Sequence, residues 1–318
     1  TYSKEISTED RYARRFMMKV VVGTRGSKLA LTQTNWVIDQ LKERNPQVEF
    51  EVKIIKTKGD LIQHLSLDKI GDKGLFVKEI EQQLLDKEID IAVHSMKDMP
   101  STLPAGLRFA GTPEREDPRD VLILKEGYKN IDDLPRGAKI GTGSKRRKYQ
   151  LLKYRPDLEI VPIRGNIDTL IQKIKDENLD GIVLAAAGMI RAGMTEQISY
   201  YFPVDLMVPA PAQGALAIEI RENDLEIESL VNSIKDEVTQ VRVAAERGFL
   251  IGVNGSCHVP MGAYCEIVGD QLKLTGLYGN EEGSKLVIKT LEGSIESPID
   301  LGVELAQLVL KEYENYEG

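Results

Sequence analysis

Twice in this chain a strand-like run ends in Gly-Thr, turns through a further glycine and enters a helical segment through Ser-Lys. The two copies are VVVGTRGSKLALTQ (20–33) and AKIGTGSKRRKYQL (138–151). A short apolar run that hands over to a 3.6-residue period after so tight a turn opens a β-α unit. The same alternation continues around both copies. KVVVG (19–23), VEFEVKIIK (48–56) and IDIAVHS (89–95) read as strands, with helices over 27–44 and 75–88. DVLIL (120–124), AKIG (138–141), LEIVPI (158–163) and GIVLAAA (181–187) read as strands, with helices from Ser144 and over 166–178. Strands alternating with helices predict mainly parallel α/β sheets.

The punctuation divides the chain further. Pro-rich stretches, GTPEREDPRD (111–120) and VPAPAQGA (208–215), flank the second α/β unit, and the strand ALAIEI (215–220) follows the second of them. If that strand returns to the first sheet, the chain crosses twice between two lobes, which makes a hinge and a cleft. From about residue 262 the pattern becomes an antiparallel meander with turns at Gly269-Asp270 and near 279–283, closed by a helix over 300–316. The expected fold class is α/β: two α/β lobes with a hinge and cleft, plus a C-terminal α+β domain with a small antiparallel sheet. The expected boundaries are 18–113 with 214–235, 114–213, and 236–318, with residues 1–17 an extension and Met17 or Met18 the start. A length of 318 residues suits two or three domains.

The chain carries 42 Lys and Arg against 50 Asp and Glu, a net charge of −8, which weighs against a general nucleic-acid binder. No apolar run is long enough to span a membrane, and the N-terminal stretch lacks the apolar segment of a secretory signal. Two cysteines, Cys257 and Cys265, exclude a disulfide scaffold and fit a reducing cytosol.

Local charge says more than the total. Ser27 and Ser144 are suitable N-caps, and Arg25, Arg146 and Arg147 sit beside those helix starts. Basic residues oppose the helix dipole there, while the unpaired N–H groups attract anions. Two anion sites facing each other across a cleft are one reading; capped helices with solvated charges are the other. IDIAVHSMKDMPSTLP (89–104) places His94, Ser95, Lys97 and Asp98 together where a strand stops. Lys97 suits a Schiff base or a solvated charge, His94 a base or a core histidine, and Asp98 a charge stabiliser or a turn cap. His64, His94 and His258 lack metal-ligand spacing, so no metal is expected. NGSCHVPMG (254–262) puts Cys257 on a loop, whereas Cys265 alternates within a strand as an ordinary core residue.

Longer motifs then occur in a fixed order: GTRGSKLALTQ, TKGD, GDKGLFVKEIE, DIAVHSMKDMP, REDPRD, GTGSKRR, PDLEIVPIRGNIDT, LAAAGMIRAGM, PAQGALAIE, AAERGFL and GSCHVPMG. From about residue 18 to its end the chain resembles the porphobilinogen deaminase (hydroxymethylbilane synthase) family. That resemblance implies two lobes like those of periplasmic binding proteins, with the active site in their cleft. It implies a third domain whose cysteine holds a dipyrromethane cofactor by a thioether. It implies a transferase that deaminates four porphobilinogens, joins them head to tail and releases hydroxymethylbilane on the route to haem. A cytoplasmic monomer follows, with a small-molecule substrate and no nucleic-acid or membrane partner.

Carried over by motif, Cys257 matches the cofactor cysteine and Asp98 the catalytic aspartate. Lys97, Asp98, Thr142, Ser144, Arg146, Arg147 and Gln213 are expected around the cofactor. Arg25, Ser27, Arg164, Arg191, Lys69 and Lys73 are expected at the substrate, the last two from a mobile cleft-covering loop over 61–74. The substrate's acetate and propionate groups suit arginine, whose fork pairs with carboxylates. A carboxylate at position 98 would stabilise the cationic pyrrole left when ammonia departs. Three departures stand out: His258 where glutamine is common, Gly143 and Lys145 in GTGSKRR, and Leu170 where an arginine is usual. Lys173, one helical turn on, is expected to reach back and stand in for that arginine. The rival class is a two-lobed anion receptor without chemistry, against which Cys257 and Asp98 argue.

Overall fold

The protein's computed structural model describes residues 18–57, 77–254 and 259–315. The order begins β1 (Lys19–Thr24), α1 (Lys28–Arg44), β2 (Glu49–Ile54), α2 (Lys78–Leu85), β3 (Ile91–Ser95) and β4 (Leu107–Phe109). It continues through β5 (Asp120–Leu124), β6 (Lys139–Gly141), α3 (Lys145–Tyr154), β7 (Glu159–Val161), α4 (Ile167–Asp176), β8 (Gly181–Ala185), α5 (Ala186–Arg191) and β9 (Tyr200–Tyr201). Then come β10 (Leu216–Arg221), α6 (Leu225–Asn232), α7 (Glu237–Gly252), β11 (Met261–Val268), β12 (Gln271–Gly279), β13 (Leu286–Ser294) and α8 (Pro298–Glu314).

Two five-stranded sheets share one plan. Their orders are β2-β1-β3-β10-β4 and β7-β6-β8-β5-β9. In each, three parallel strands are followed by one antiparallel strand and a short edge strand. The antiparallel strand is in both cases the one entered from a crossing segment: β5 after residues 110–119, and β10 after residues 202–215. Parallel neighbours are joined by a crossover packed on the sheet. A strand fed straight from the hinge has no such crossover and runs against its neighbour. Apolar patterning carries no direction, so DVLIL and ALAIEI read only as buried strands. GIVLAAA also ends earlier than its apolar run suggests: Ala186 donates to Arg119 O (2.9 Å) and opens α5.

Both faces of the second sheet are covered, with Leu122, Ile140 and Val183 on one side and Val121, Ile123 and Ile182 on the other. The third unit stacks α7 and α8 on the antiparallel sheet β11-β12-β13 around Phe249, Leu274 and Leu305. The two helices touch at glycines. A Cβ on Gly302 would sit 2.2 Å from Ala245 O, and one on Gly248 would sit 2.4 Å from Ile299 O.

One buried ion pair ties the hinge to this third unit. Arg115, in the first crossing, forks onto Glu246 of α7 at 2.7 and 2.9 Å and donates through Nε to Gln213 O (2.8 Å) in the second crossing. Glu246 also accepts from the Ala212 and Cys265 amides at 2.7 and 2.9 Å, so both crossings and β11 converge on one carboxylate.

Candidate active site

β3 stops at Ser95, and a single 3-10 turn spans Met96–Asp98. Buried Met96 and Met99 anchor that turn, and the Met96 amide donates to Ala215 O at the start of the returning strand (3.0 Å). Lys97 is left half-buried and Asp98 exposed at the tip. Gln33 of α1 exchanges hydrogen bonds with Ser95 Oγ (3.0 and 3.3 Å), so the strand end cannot slide.

Across the lobes, β6 leads through buried Thr142 into α3. Thr142 Oγ1 accepts from the Ser144 amide (3.2 Å), and Ser144 Oγ caps the helix by accepting from the Arg147 amide (3.4 Å). Arg146 is buried. Its guanidinium forks onto Asp120 at 2.6 and 3.2 Å and also donates to Val208 O (2.8 Å) and to Gln213 Oε1 (3.4 Å). Arg147 approaches the same carboxylate through Nε (2.8 Å) and donates to Val183 O (3.1 Å). Gln213 Nε2 donates to Pro118 O (2.7 Å) and to Asp120 Oδ1 (3.1 Å).

One electrostatic field joins the two turns. Burial alone would push the Asp120 carboxyl up, but Arg146, Arg147 and the more distant Lys97 outweigh it and hold the group well below the usual carboxylate range. Burial lowers the Lys97 ammonium; Asp98 opposes that effect, while Arg147 and Arg146 add to it. Burial also lowers Arg147, against the pull of Asp120 and Asp98. Three cations and two carboxylates thus gather at the start of α3, and the carboxylate at Asp120 is already spoken for.

The other expected contacts distribute as follows. Ser27 caps α1 through the Ala30 amide (3.2 Å). The next residue, Lys28, reaches Asp168 of α4 across the lobes at 3.8 Å, so the Ser27 end meets the start of α4 while the Ser144 end couples to the Lys97–Asp98 turn. Arg25 is half-buried after β1, and Arg164 is exposed after β7. Arg191, at the end of α5, donates to Gly214 O in the second crossing (2.7 Å); burial lowers it to about 10 against the pull of Glu116. His94 turns into lobe one, with Nε2 3.0 Å from Glu219 Oε2, which makes it a core histidine. Cys265 is buried, and that burial, with Glu246 beside it, pushes its thiol up to about 12. The expectation for Lys173 is corrected. Its ammonium runs forward to Glu177 Oε1 (2.8 Å), one turn away from Leu170, which packs with Ile163 and Ile182. A carboxylate four residues ahead is the nearer partner.

Cys257, His258, Lys69 and Lys73 lie outside the described residues. What leads to Cys257 is described: α7 passes the Asp98 turn, where Arg247 donates to Pro100 O (2.7 Å), and ends at Gly252. Among the described residues no cluster of His, Cys, Asp or Glu is suited to a metal ion. A cavity of about 560 Å³ lined by Ile123, Ile171, Ile174 and Lys175 shares no residue with the charged group. Sequence reasoning missed Asp120, Glu219 and Glu246, although REDPRD, PAQGALAIE and AAERGFL contain them.

The sequence pattern described as "Porphobilinogen deaminase, dipyromethane cofactor binding domain" matches residues 20–229, and "Porphobilinogen deaminase, C-terminal domain" matches residues 240–311. The chain belongs to the porphobilinogen deaminase family. A porphobilinogen deaminase of Clostridioides difficile is 72% identical over 301 residues, covering 95% of this chain and 100% of that protein. One from Clostridium novyi is 60% identical over 298 residues, covering 93% and 99%. Among solved structures, the VFT2 domain of Bordetella pertussis BvgS superimposes with a TM-score of 0.41 at 15% identity, covering 74% of this chain and 92% of that one. The charged group at the start of α3 suits a porphobilinogen deaminase cofactor rich in carboxylates: the three cations Lys97, Arg146 and Arg147 outnumber the carboxylates Asp98 and Asp120 beside a helix N-terminus.

Proposed function

We propose that the cleft between the two lobes condenses porphobilinogen on a dipyrromethane held covalently by Cys257, with Asp98 as the carboxylate that stabilises the cationic pyrrole left when ammonia departs. The family is that of hydroxymethylbilane synthases, transferases of tetrapyrrole biosynthesis. The observation that carries the residue assignment is the Lys97–Asp98 turn sharing a field with Arg146 and Arg147. Asp120 is one carboxylate against two guanidinium groups, so Arg146 and Arg147 keep a net positive charge, and Arg147, Lys97 and the α3 amides are the groups that take the cofactor's carboxylates, with Thr142, Ser144 and Gln213 holding their geometry.

When bound, dipyrromethane supplies the pyrrole position on which the product grows. The protein's own groups bind and orient. Arg25, Ser27, Arg164 and Arg191 receive substrate carboxylates, as do Lys69 and Lys73. Asp98, at the tip of its turn, faces the positive charge that develops as ammonia leaves and accepts the pyrrole proton; a fixed carboxylate needs no reorganisation at that moment. The three domains are 18–113 with 214–235, 114–213 and 236–318. The enzyme works as a cytoplasmic monomer without nucleic-acid or membrane partners, and no described helix is long and apolar enough to cross a membrane.

Intact mass tests the covalent assignment. Enzyme purified from a porphobilinogen-producing host should outweigh its sequence by two linked pyrroles, Cys257→Ala should not, and Cys265→Ala should. A loaded Cys257→Ala protein overturns the assignment.

A further inference from the structure

Beneath the Lys97–Asp98 turn lies a second cluster of ionisable groups that touches no expected ligand. Glu219 of β10 is 0% exposed, Glu81 of α2 is 6% and His94 of β3 is 7%. Glu219 Oε2 is 3.0 Å from His94 Nε2. Its other oxygen, Oε1, is buried and has no hydrogen-bond partner among the described residues, and the same holds for Glu81 Oε1. Glu81 sits on the packing face of α2, between Ile80 and Leu84, which press on Ile89 and Ala92. The charges that act on it come from Glu219 on β10, His94 on β3 and Lys78 on its own helix.

Two buried carboxyls beside one imidazole cannot both stay ionised without a large cost, and two orphaned oxygens each leave a hydrogen bond unmade. A single proton removes both penalties. A protonated carboxyl becomes a donor, whereas a carboxylate can only accept. We propose that Glu81 is a positioning residue: it keeps its proton and donates it to Glu219 Oε1, so that Glu219 Oε2 is held for His94 and the string Glu81–Glu219–His94 locks α2, β10 and β3 under the turn that carries Asp98. Desolvation raises the Glu81 carboxyl, Glu219 raises it further, and His94 and Lys78 oppose, with the result at about 7 rather than the ordinary 4.5. His94 lies just before Ser95 and the turn, so a shift of this string moves Asp98 directly. The role in turnover rests on the assignment of Asp98 above; the buried proton does not.

The test uses the cofactor-loaded enzyme and two near-isosteric variants. Glu81→Gln keeps a donor for Glu219, and Glu81→Met removes it. Infrared difference spectra at about pH 6, where the raised group is still protonated, should show a carboxylic-acid carbonyl band in the wild type that Glu81→Gln lacks. The fall in melting temperature between about pH 5 and about pH 8 should be flatter in Glu81→Gln. Turnover should stay within about twofold in Glu81→Gln and drop about tenfold in Glu81→Met with KM little changed, the scale of a small misplacement of a catalytic group. A wild type without the band, an unchanged pH slope in Glu81→Gln, or equal kcat in the two variants overturns the proposal. Should Glu81→Met not fold, the band and the slope decide alone. Failure of the Asp98 assignment would show instead as normal turnover in Asp98→Asn, with band and slope intact.

Discussion

The two lobes share a sheet plan and place a buried carboxylate on the same strand of it. In each, the antiparallel strand fed from the hinge carries the acid: Asp120 opens β5, and Glu219 lies within β10. What surrounds the acid differs. Asp120 meets two guanidinium groups, which stay charged at any working pH. Glu219 meets an imidazole at 3.0 Å and, nearby, the Glu81 carboxyl, which burial and Glu219 itself raise to about 7. The same topological position therefore holds a permanent ion pair in lobe two and a proton-dependent one in lobe one. The lobe that carries Asp98 is the one whose interior responds to pH.

The largest effect expected from breaking this comparison is on Asp120. Asp120→Ala strands two guanidinium groups, one of them fully buried, and should cost about 3–5 kcal/mol in a denaturant titration. Glu219→Gln leaves donors and acceptors in place and should cost about 1–2 kcal/mol. Equal losses at the two sites would dissolve the distinction.

Next in size is catalysis. In cofactor-loaded enzyme, Asp98→Asn should lower kcat about a hundredfold, the scale for one preorganised charge. It should leave the melting temperature close to wild type, because Asp98 is exposed. Steady-state kinetics with a melting curve checks both halves.

The pH dependence sharpens the contrast by sign. Glu81 is raised in the folded protein, so the stability it contributes is present below the ordinary carboxyl value of 4.5 and is lost as pH rises through about 7. Asp120 is lowered, so its contribution is present above 3.8 and is lost only as pH falls through a strongly acidic value. In melting curves against wild type, Glu81→Gln should gain relative stability as pH rises from about 5 to about 8, whereas the deficit of Asp120→Asn should persist across that range and shrink only at strongly acidic pH. Smallest of all is Lys173→Ala. It removes one i,i+4 pair and should change stability by about 0.3–0.5 kcal/mol with kcat and KM unchanged. A raised KM would restore the role that the structure takes from Lys173.

Local patterns are legible in the amino-acid sequence alone. The caps at Ser27 and Ser144 stand where their side chains accept from amides three residues on, a contact written within each segment. Periodicity locates the strands and helices of the two sheets and the meander turns, the motif order carries the family, and α6 and α7 emerge only in the structure. Partner identities are another matter. That Arg146 and Arg147 share an internal carboxylate is not legible, because the acid, Asp120, lies on a different strand. His94 and Glu219 are 125 residues apart in the chain, and no local rule joins them. The directions of β5 and β10 depend on where the crossing segments deliver the chain. The physical reason is the range of the interactions. Propensity, capping and apolar period act within a turn or two. The charge state of a buried group is set by whatever packs against it from elsewhere, and only the tertiary structure decides that.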